Sequence, residues 1–186
     1  MLARVLRRSL GDAGSRSSRC GYASKMTHTD EETGEARMVS VTTKAETHRR
    51  AQAQGRIVLS KEAFAVLEAN ELHTAKGNAL VVAQIAGIQA AKTTSQLIPL
   101  CHPLMLGLID VRLALNKATS SVDCKTTVET KGSTGVEMEA LTATSVALLT
   151  VYDMCKAIDK HMVMQDIRVI EKQGGKSGDW QWAPHQ

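Results

Sequence analysis

Aromatic side chains are nearly missing from this sequence: one Phe, two Tyr and two Trp among 186 residues. A surface that stacks exposed bases needs such rings on its strands, so single-stranded nucleic acid is excluded as the main partner. Four cysteines occur with no CxxC and no regular spacing. That excludes a disulfide scaffold and a structural zinc finger, and fits free thiols in a reducing compartment. No apolar run approaches the ~18 residues of a membrane-spanning helix, so an integral membrane protein is excluded as well. What is present is the ordinary balance of one soluble globular domain, 43% hydrophobic and 23% charged, long enough to bury a core without staples.

The formal net charge of +4 is unevenly distributed. Residues 1–25 carry Arg4, Arg7, Arg8, Arg16, Arg19 and Lys25 against Asp12, a net +5, which leaves −1 for the other 161 residues. The body therefore has no global field for attracting nucleic acid. The leader is Arg- and Ser-rich, and Leu2, Val5, Leu6 and Leu10 fall near helical spacing. This is the amphipathic pattern of a transit peptide and points to the mitochondrial matrix. The expected layout is a targeting leader (1–25), a polar linker (26–36), a catalytic domain (37–179) and a C-terminal tail (180–186).

Along the body, Met38–Thr42 alternates and reads as a strand, and Arg56–Leu59 as another. Ser60 caps a helix to about Asn70, and Asn78 opens a longer, Ala-rich helix to about Gln96. Pro99 and Pro103 bracket a loop. Strands follow over Gly107–Leu115 and Ser121–Glu129, each with clear apolar alternation. A long helix is expected over Val136–His161, a last strand over Asp166–Lys172, and an irregular Gly-rich end from Gly174. The order β-α-β-β-α-β predicts an α+β, ferredoxin-like fold, an antiparallel sheet with helices on one face. Its open face is expected to be covered by another subunit.

Four constellations carry possible chemistry. Cys101 and His102 lie in the loop between the two prolines; neighbours in extended backbone point to opposite sides, so one metal ion is not expected to bind both. A structural histidine is the competing account of His102. Thr134 and Glu137 have the spacing of a capping box, which leaves Glu139 without a capping role and makes it the better functional carboxylate. Asp153 and Lys156 are i,i+3 on the same helix. A surface salt bridge competes there, but apolar flanks predict at least partial burial, where paired charges are costly as structure and useful for proton transfer. Gly174-Gly175-Lys176-Ser177-Gly178 is not a P-loop, because position 170 is Ile170 and no helix has room to follow. With Lys172 and Lys176 it can still fold over a phosphate, or be a solvated end. Lys76, before a helix start, is a similar anion candidate. Glu139 and Asp153 share a helix face yet stand ~21 Å apart along the axis, so joint action requires a long substrate or a second subunit.

Taken together, these stretches resemble the cyclic pyranopterin monophosphate synthases of molybdenum cofactor biosynthesis. The carrying segments are Met38–Val41 with Lys44–Thr47, Ile85–Lys92, Leu97–Met105, Thr134–Thr142, Tyr152–Ala157 and Gly174–Asp179, in order from about Thr29 to Asp179. The resemblance implies a ferredoxin-like subunit in a homohexamer, a trimer of dimers with interfacial sites. It implies conversion of (8S)-3′,8-cyclo-7,8-dihydroguanosine 5′-triphosphate into cyclic pyranopterin monophosphate and pyrophosphate. No resident cofactor and no metal site are implied, Mg²⁺ being at most a companion of the triphosphate. Asp153 and Lys156 match the catalytic pair. Leu100, Cys101, His102, Met138 and Glu139 match substrate-binding segments, and Lys76, Lys172 and Lys176 match basic positions near the triphosphate. One departure is Ser133, where relatives often carry a basic residue. The competing reading is a non-catalytic ferredoxin-like nucleotide-binding regulatory module, which would lack the Asp153/Lys156 pair.

Overall fold

The sheet is organised around a strand whose sequence hides it. The computed structural model describes residues 28, 29 and 33–184, so the Arg-rich leader lies outside the described residues. Strand β1 runs from Thr47 to Val58 through Arg49, Arg50, Gln52 and Gln54, a stretch with little β-branched or large apolar content. It is nonetheless central, pairing antiparallel with two other strands. In its middle the inward residues are small, with Ala51 and Ala53 buried and a Cβ at Gly55 coming within 2.8 Å of Ile167 and 2.9 Å of Leu148, before the large buried Ile57. Small residues let a helix lie close to the middle of the sheet. The strand expected over Arg56–Leu59 is the end of β1. Met38–Thr42, also expected as a strand, pairs with nothing in the sheet. It runs as a mostly exposed segment with only Val39 and Val41 half-buried.

Helix α1 spans Lys61–Ala69, with the Ser60 hydroxyl accepting from the amide of Ala63 at 3.1 Å. A two-residue hairpin follows, β2 (His73–Thr74) and β3 (Gly77–Asn78). Asn78 caps α2, Ala79–Lys92. The long helix expected to Gln96 breaks at Thr93, and a single turn, α3, covers Thr94–Leu97. Strands β4 (Leu106–Asn116) and β5 (Ser121–Gly132) form the expected hairpin. Helix α4 covers Glu137–Cys155 and ends six residues before His161. Strand β6, Val163–Gln173, is longer than expected and irregular around Asp166, which has φ +60°. The end read as irregular contributes a short edge strand, β7 (Trp180–Gln181), against Glu171 and Lys172.

The sheet order is β4-β5-β1-β6-β7. Counting only β1, β4, β5 and β6 as the four strands of a βαββαβ unit gives the spatial order 2-3-1-4, all antiparallel, which is the ferredoxin-like arrangement. Helices α2 and α4 cover one face. Their contact is built from Ala83, Ala143, Ala147 and Gly87, where an added Cβ would lie 2.9 Å from the Ala143 carbonyl oxygen. Among the described residues no helix is long and apolar enough to cross a membrane.

The opposite sheet face is ionic. Arg50 bridges Glu129 at 3.2 Å and Glu171 at 2.5 Å, and Arg56 meets Asp166 at 3.1 Å. Exposed apolar side chains occur on the helices, with Val81, Ile85 and Leu149 each half or more exposed, and also on the strands at Leu108, Val163 and Met164.

Candidate active site

Both ends of α4 carry ionisable groups. At its C-terminal end, Lys156 is the C-cap residue and Asp153 lies one turn earlier. Lys156 Nζ donates to Asp153 Oδ1 at 2.7 Å, and Lys76 Nζ donates to Asp153 Oδ2 at 2.6 Å. Lys76 arrives from the turn of the β2–β3 hairpin, so its helix-start position in the sequence is not what places it. The two ammoniums, Lys156 first, hold the Asp153 carboxyl down at about 2, and the carboxylate in turn raises Lys156. Asp153 is therefore an anion throughout the neutral range.

The expected burial of this pair is not what the fold gives. Both side chains are about half exposed in the single chain, because the apolar neighbours Val151, Met154 and Cys155 face inward while Asp153 and Lys156 face out. They border a cavity of about 550 Å³ whose apolar wall includes Val66, Ala157 and Ile158.

At the N-terminal end of α4 the groups expected to bind substrate converge. Leu100, Cys101, His102, Met138 and Glu139 line one cavity of about 380 Å³, which Lys44, Val39 and Val41 close from the segment before β1. Glu139 is only 4% exposed, and burial, with a smaller push from Glu137, raises its carboxyl to about 7. Burial and the Glu139 charge also push the Cys101 thiol up, which keeps it protonated. The Thr134–Glu137 capping box does not form. The N-cap is Val136 with no side-chain bond, and the Glu137 carboxylate folds back over Gly135 instead, 3.8 Å from Lys172 Nζ.

A larger cavity of about 880 Å³ adjoins this one, sharing Lys44, Thr134, Gly135 and Glu137. Lys44, Arg49, Lys172 and Lys176 line it against the single carboxylate of Glu137, with Arg50 already paired at its rim. The Gly-rich loop forms one wall. Lys172 Nζ donates to Ser177 Oγ at 2.7 Å and the Gly174 amide donates to Asp179 Oδ1 at 2.9 Å. Gly174 and Gly175 have φ of +85° and +83° and pack against His48 and Arg49, positions no other residue type fits easily. Lys172 and Lys176 thus share a cavity, whereas Lys76 belongs to the Asp153 cluster.

Sequence reasoning assigned no role to Lys44 and Arg49. Lys44 sits in an unstructured polar run, and Arg49 reads as half of a solvated Arg-Arg pair. Only the pairing of β1 with β5 and β6 turns Arg49 toward the cavity, where its Nε donates to the Gly132 carbonyl at 3.3 Å. Among the described residues no group of His, Cys, Asp or Glu is arranged to hold a metal ion.

A carboxylate held by two ammoniums at one end of a helix and a cation-lined cavity at the other are the marked features of this α+β protein. Residues 38–175 match the MoaC family, and the chain belongs to it. It is 54% identical over 155 residues to the cyclic pyranopterin monophosphate synthase of Heliobacterium modesticaldum, covering 83% of this chain and 96% of that one. The enzymes of the same name from Chloroflexus aurantiacus and Thermoanaerobacter pseudethanolicus are 51% and 52% identical, over 84% and 82% of this chain and 94% and 95% of theirs.

Proposed function

We propose that this chain carries out its family's reaction with two clusters pooled between neighbouring copies. The activity is that of a cyclic pyranopterin monophosphate synthase, a lyase of molybdenum cofactor biosynthesis. The substrate is (8S)-3′,8-cyclo-7,8-dihydroguanosine 5′-triphosphate. Its purine-derived ring opens and recloses as a pterin, which requires protons to leave and return at several nitrogens and oxygens. Lys156 exchanges those protons, and Asp153 orients its ammonium; Lys76 completes the charge balance around the carboxylate. The phosphate step forms a bond from a substrate hydroxyl oxygen to the α-phosphorus and breaks the bond to the β-phosphate. The hydroxyl proton passes to a base and pyrophosphate departs with the electron pair. Lys44, Arg49, Lys172, Lys176 and His102 stabilise the charge that develops on that leaving group.

The observation that carries this reading is the carboxylate clamped between two ammoniums at 2.6 and 2.7 Å on the rim of a cavity. A regulatory module that only binds a nucleotide has no use for such a pair. Within one chain the clusters stand ~21 Å apart along α4, which supports a site completed by a second copy. The apolar exposure of Val81, Ile85 and Leu149 on α2 and α4 supports the same assembly, a homohexamer built as a trimer of dimers. The leader supports delivery to the mitochondrial matrix; a fusion of residues 1–25 to a fluorescent protein that stays cytosolic would refute that.

The test is pyrophosphate release from the cyclised guanosine triphosphate by the pure protein. Mixed oligomers then probe the shared site. Copies bearing Lys156→Ala, inactive alone, and copies bearing Lys172→Ala, impaired alone at substrate concentrations below KM, regain activity under those conditions when co-assembled if each site draws on two chains. No recovery in verified mixed oligomers refutes the pooled site.

A further inference from the structure

Helix α4 ends without the usual devices. There is no glycine after its last turn and no basic residue within it, so the turn that carries Lys156 is fixed by other means. Besides the backbone bonds from the Ile158 and Asp159 amides to the Cys155 carbonyl, two side-chain ties are present. The Tyr152 hydroxyl donates to the Lys160 carbonyl at 3.1 Å. Asp159, 7% exposed, accepts from the Ser60 amide with Oδ2 and from the His161 amide with Oδ1, each at 2.7 Å.

Ser60 is the N-cap residue of α1, so Asp159 joins the C-terminal end of α4 to the N-terminal end of α1. Helix α1 is a rigid arm. At its far end the Leu72 amide donates to Leu67 and the His73 amide to Asn70, and from there the hairpin delivers Lys76 to Asp153. The two ammoniums that flank Asp153 thus come from separate arms of the chain, and Asp159 is the point where those arms are tied together. A carboxylate buried to this degree is costly unless its oxygens are satisfied. Both are, and the two amides hold its carboxyl below the usual range of an Asp.

We propose that Asp159 is a positioning residue: by bonding the amides of Ser60 and His161 it sets the registry of Lys156 and Lys76 on Asp153. This rests on the catalytic reading of the Asp153 cluster, but its consequence for geometry does not. The other titratable groups near the cluster are Tyr152, His73 and Lys160, with His161 beside Asp159, and no side-chain bond from any of them bridges the two arms.

The experiment compares the full-length assembled protein with its Asp159→Ala variant. Two readouts are taken: steady-state pyrophosphate release, and the titration of Asp153 followed by infrared difference spectroscopy on ¹³C-aspartate-labelled protein, with Asp153→Asn identifying its band. Lys76→Met, which removes one ammonium outright, sets the scale. The expected result for Asp159→Ala is an Asp153 midpoint shifted upward in the direction of Lys76→Met. The accompanying kcat falls about tenfold or more while KM stays within about twofold, and Asp159→Asn, which keeps one acceptor oxygen, lies between. A folded Asp159→Ala protein with parental Asp153 titration and parental kcat overturns the proposal, even if its thermal midpoint is lower. A shifted titration with unchanged kcat supports the positioning and refutes the catalytic reading instead. If Asp159→Ala does not fold, Asp159→Asn, which replaces one acceptor oxygen with a donor, is read by the same two measurements.

Discussion

Replacing Glu139 by Gln should stabilise the protein at alkaline pH and leave it unchanged in acid. Glu139 is 4% exposed and its carboxyl is raised from 4.5 to about 7, chiefly by burial. In the unfolded chain it titrates near 4.5, so between that pH and about 7 the folded state holds a proton that the unfolded state has released. Stability attributable to this group therefore falls as pH rises through that window and is level above it. A shift of about 2.5 units corresponds to roughly 3 kcal/mol, imposed in full above pH 7 and absent below about 4.5. Gln keeps the volume and cannot ionise. Urea unfolding of both proteins at fixed concentration, from pH 4.5 to 8.5, should give a difference near zero in acid that grows to about 2–3 kcal/mol in favour of Gln. A difference that is flat across the range, or grows with the opposite sign, would mean that Glu139 is charged and paired, and the argument from burial would fail.

Three further outcomes follow from named contacts. Lys156→Ala should abolish turnover while calorimetric affinity for the substrate stays within a few-fold, since the cation-lined cavity at the far end of α4 is intact; retained turnover would refute its proposed role as the proton carrier. Lys172→Ala removes a cation from that cavity, and loss of one charge-assisted contact of about 1.5–3 kcal/mol predicts a 10- to 100-fold rise in KM that shrinks with added salt. Gly87→Ala places a methyl 2.9 Å from the Ala143 carbonyl oxygen and 3.1 Å from Ala147 Cβ; overpacking of this kind costs about 1–3 kcal/mol and should lower the melting temperature by several degrees without touching the chemistry.

The parts of the fold that were legible are those where side-chain periodicity reports burial directly. Strands β4 and β5 alternate because one face meets α2 and α4, and Val111, Val122, Cys124 and Val128 are buried as that alternation requires. The caps of α1 and α2 were legible because Ser60 and Asn78 bond the backbone locally. Strand β1 was legible only at its end, where Ile57 is large and buried. Before that its inward positions are small where α4 packs, and outward Arg50 and Arg56 meet Glu129, Glu171 and Asp166, so the middle of the strand lacks the apolar signal that marks one. Met38–Val41 carried that signal without a neighbouring strand to use it. Pattern reports burial, and the middle of this sheet is buried under residues that do not look hydrophobic.

The site divides along the same line. Asp153 and Lys156 are neighbours on one helix turn, so their pairing follows from spacing alone, as does the reach of Leu100, Cys101 and His102 from one loop. Contacts that depend on the tertiary path leave no local trace: Lys76 reaches Asp153 only because α1 and the β2–β3 hairpin fold back over α4, and Arg49 faces the larger, cation-lined cavity only through the register of β1 on β5 and β6. The failed capping box shows the converse. Thr134 and Glu137 have the right spacing, but the Glu137 carboxylate turns back over Gly135 toward Lys172, and a local hydrogen bond worth about 1 kcal/mol is given up at the edge of a cluster of cations. A spacing rule fails here where long-range charge offers the same side chain a competing partner, and that competition is itself a mark of the cation-lined end of the site.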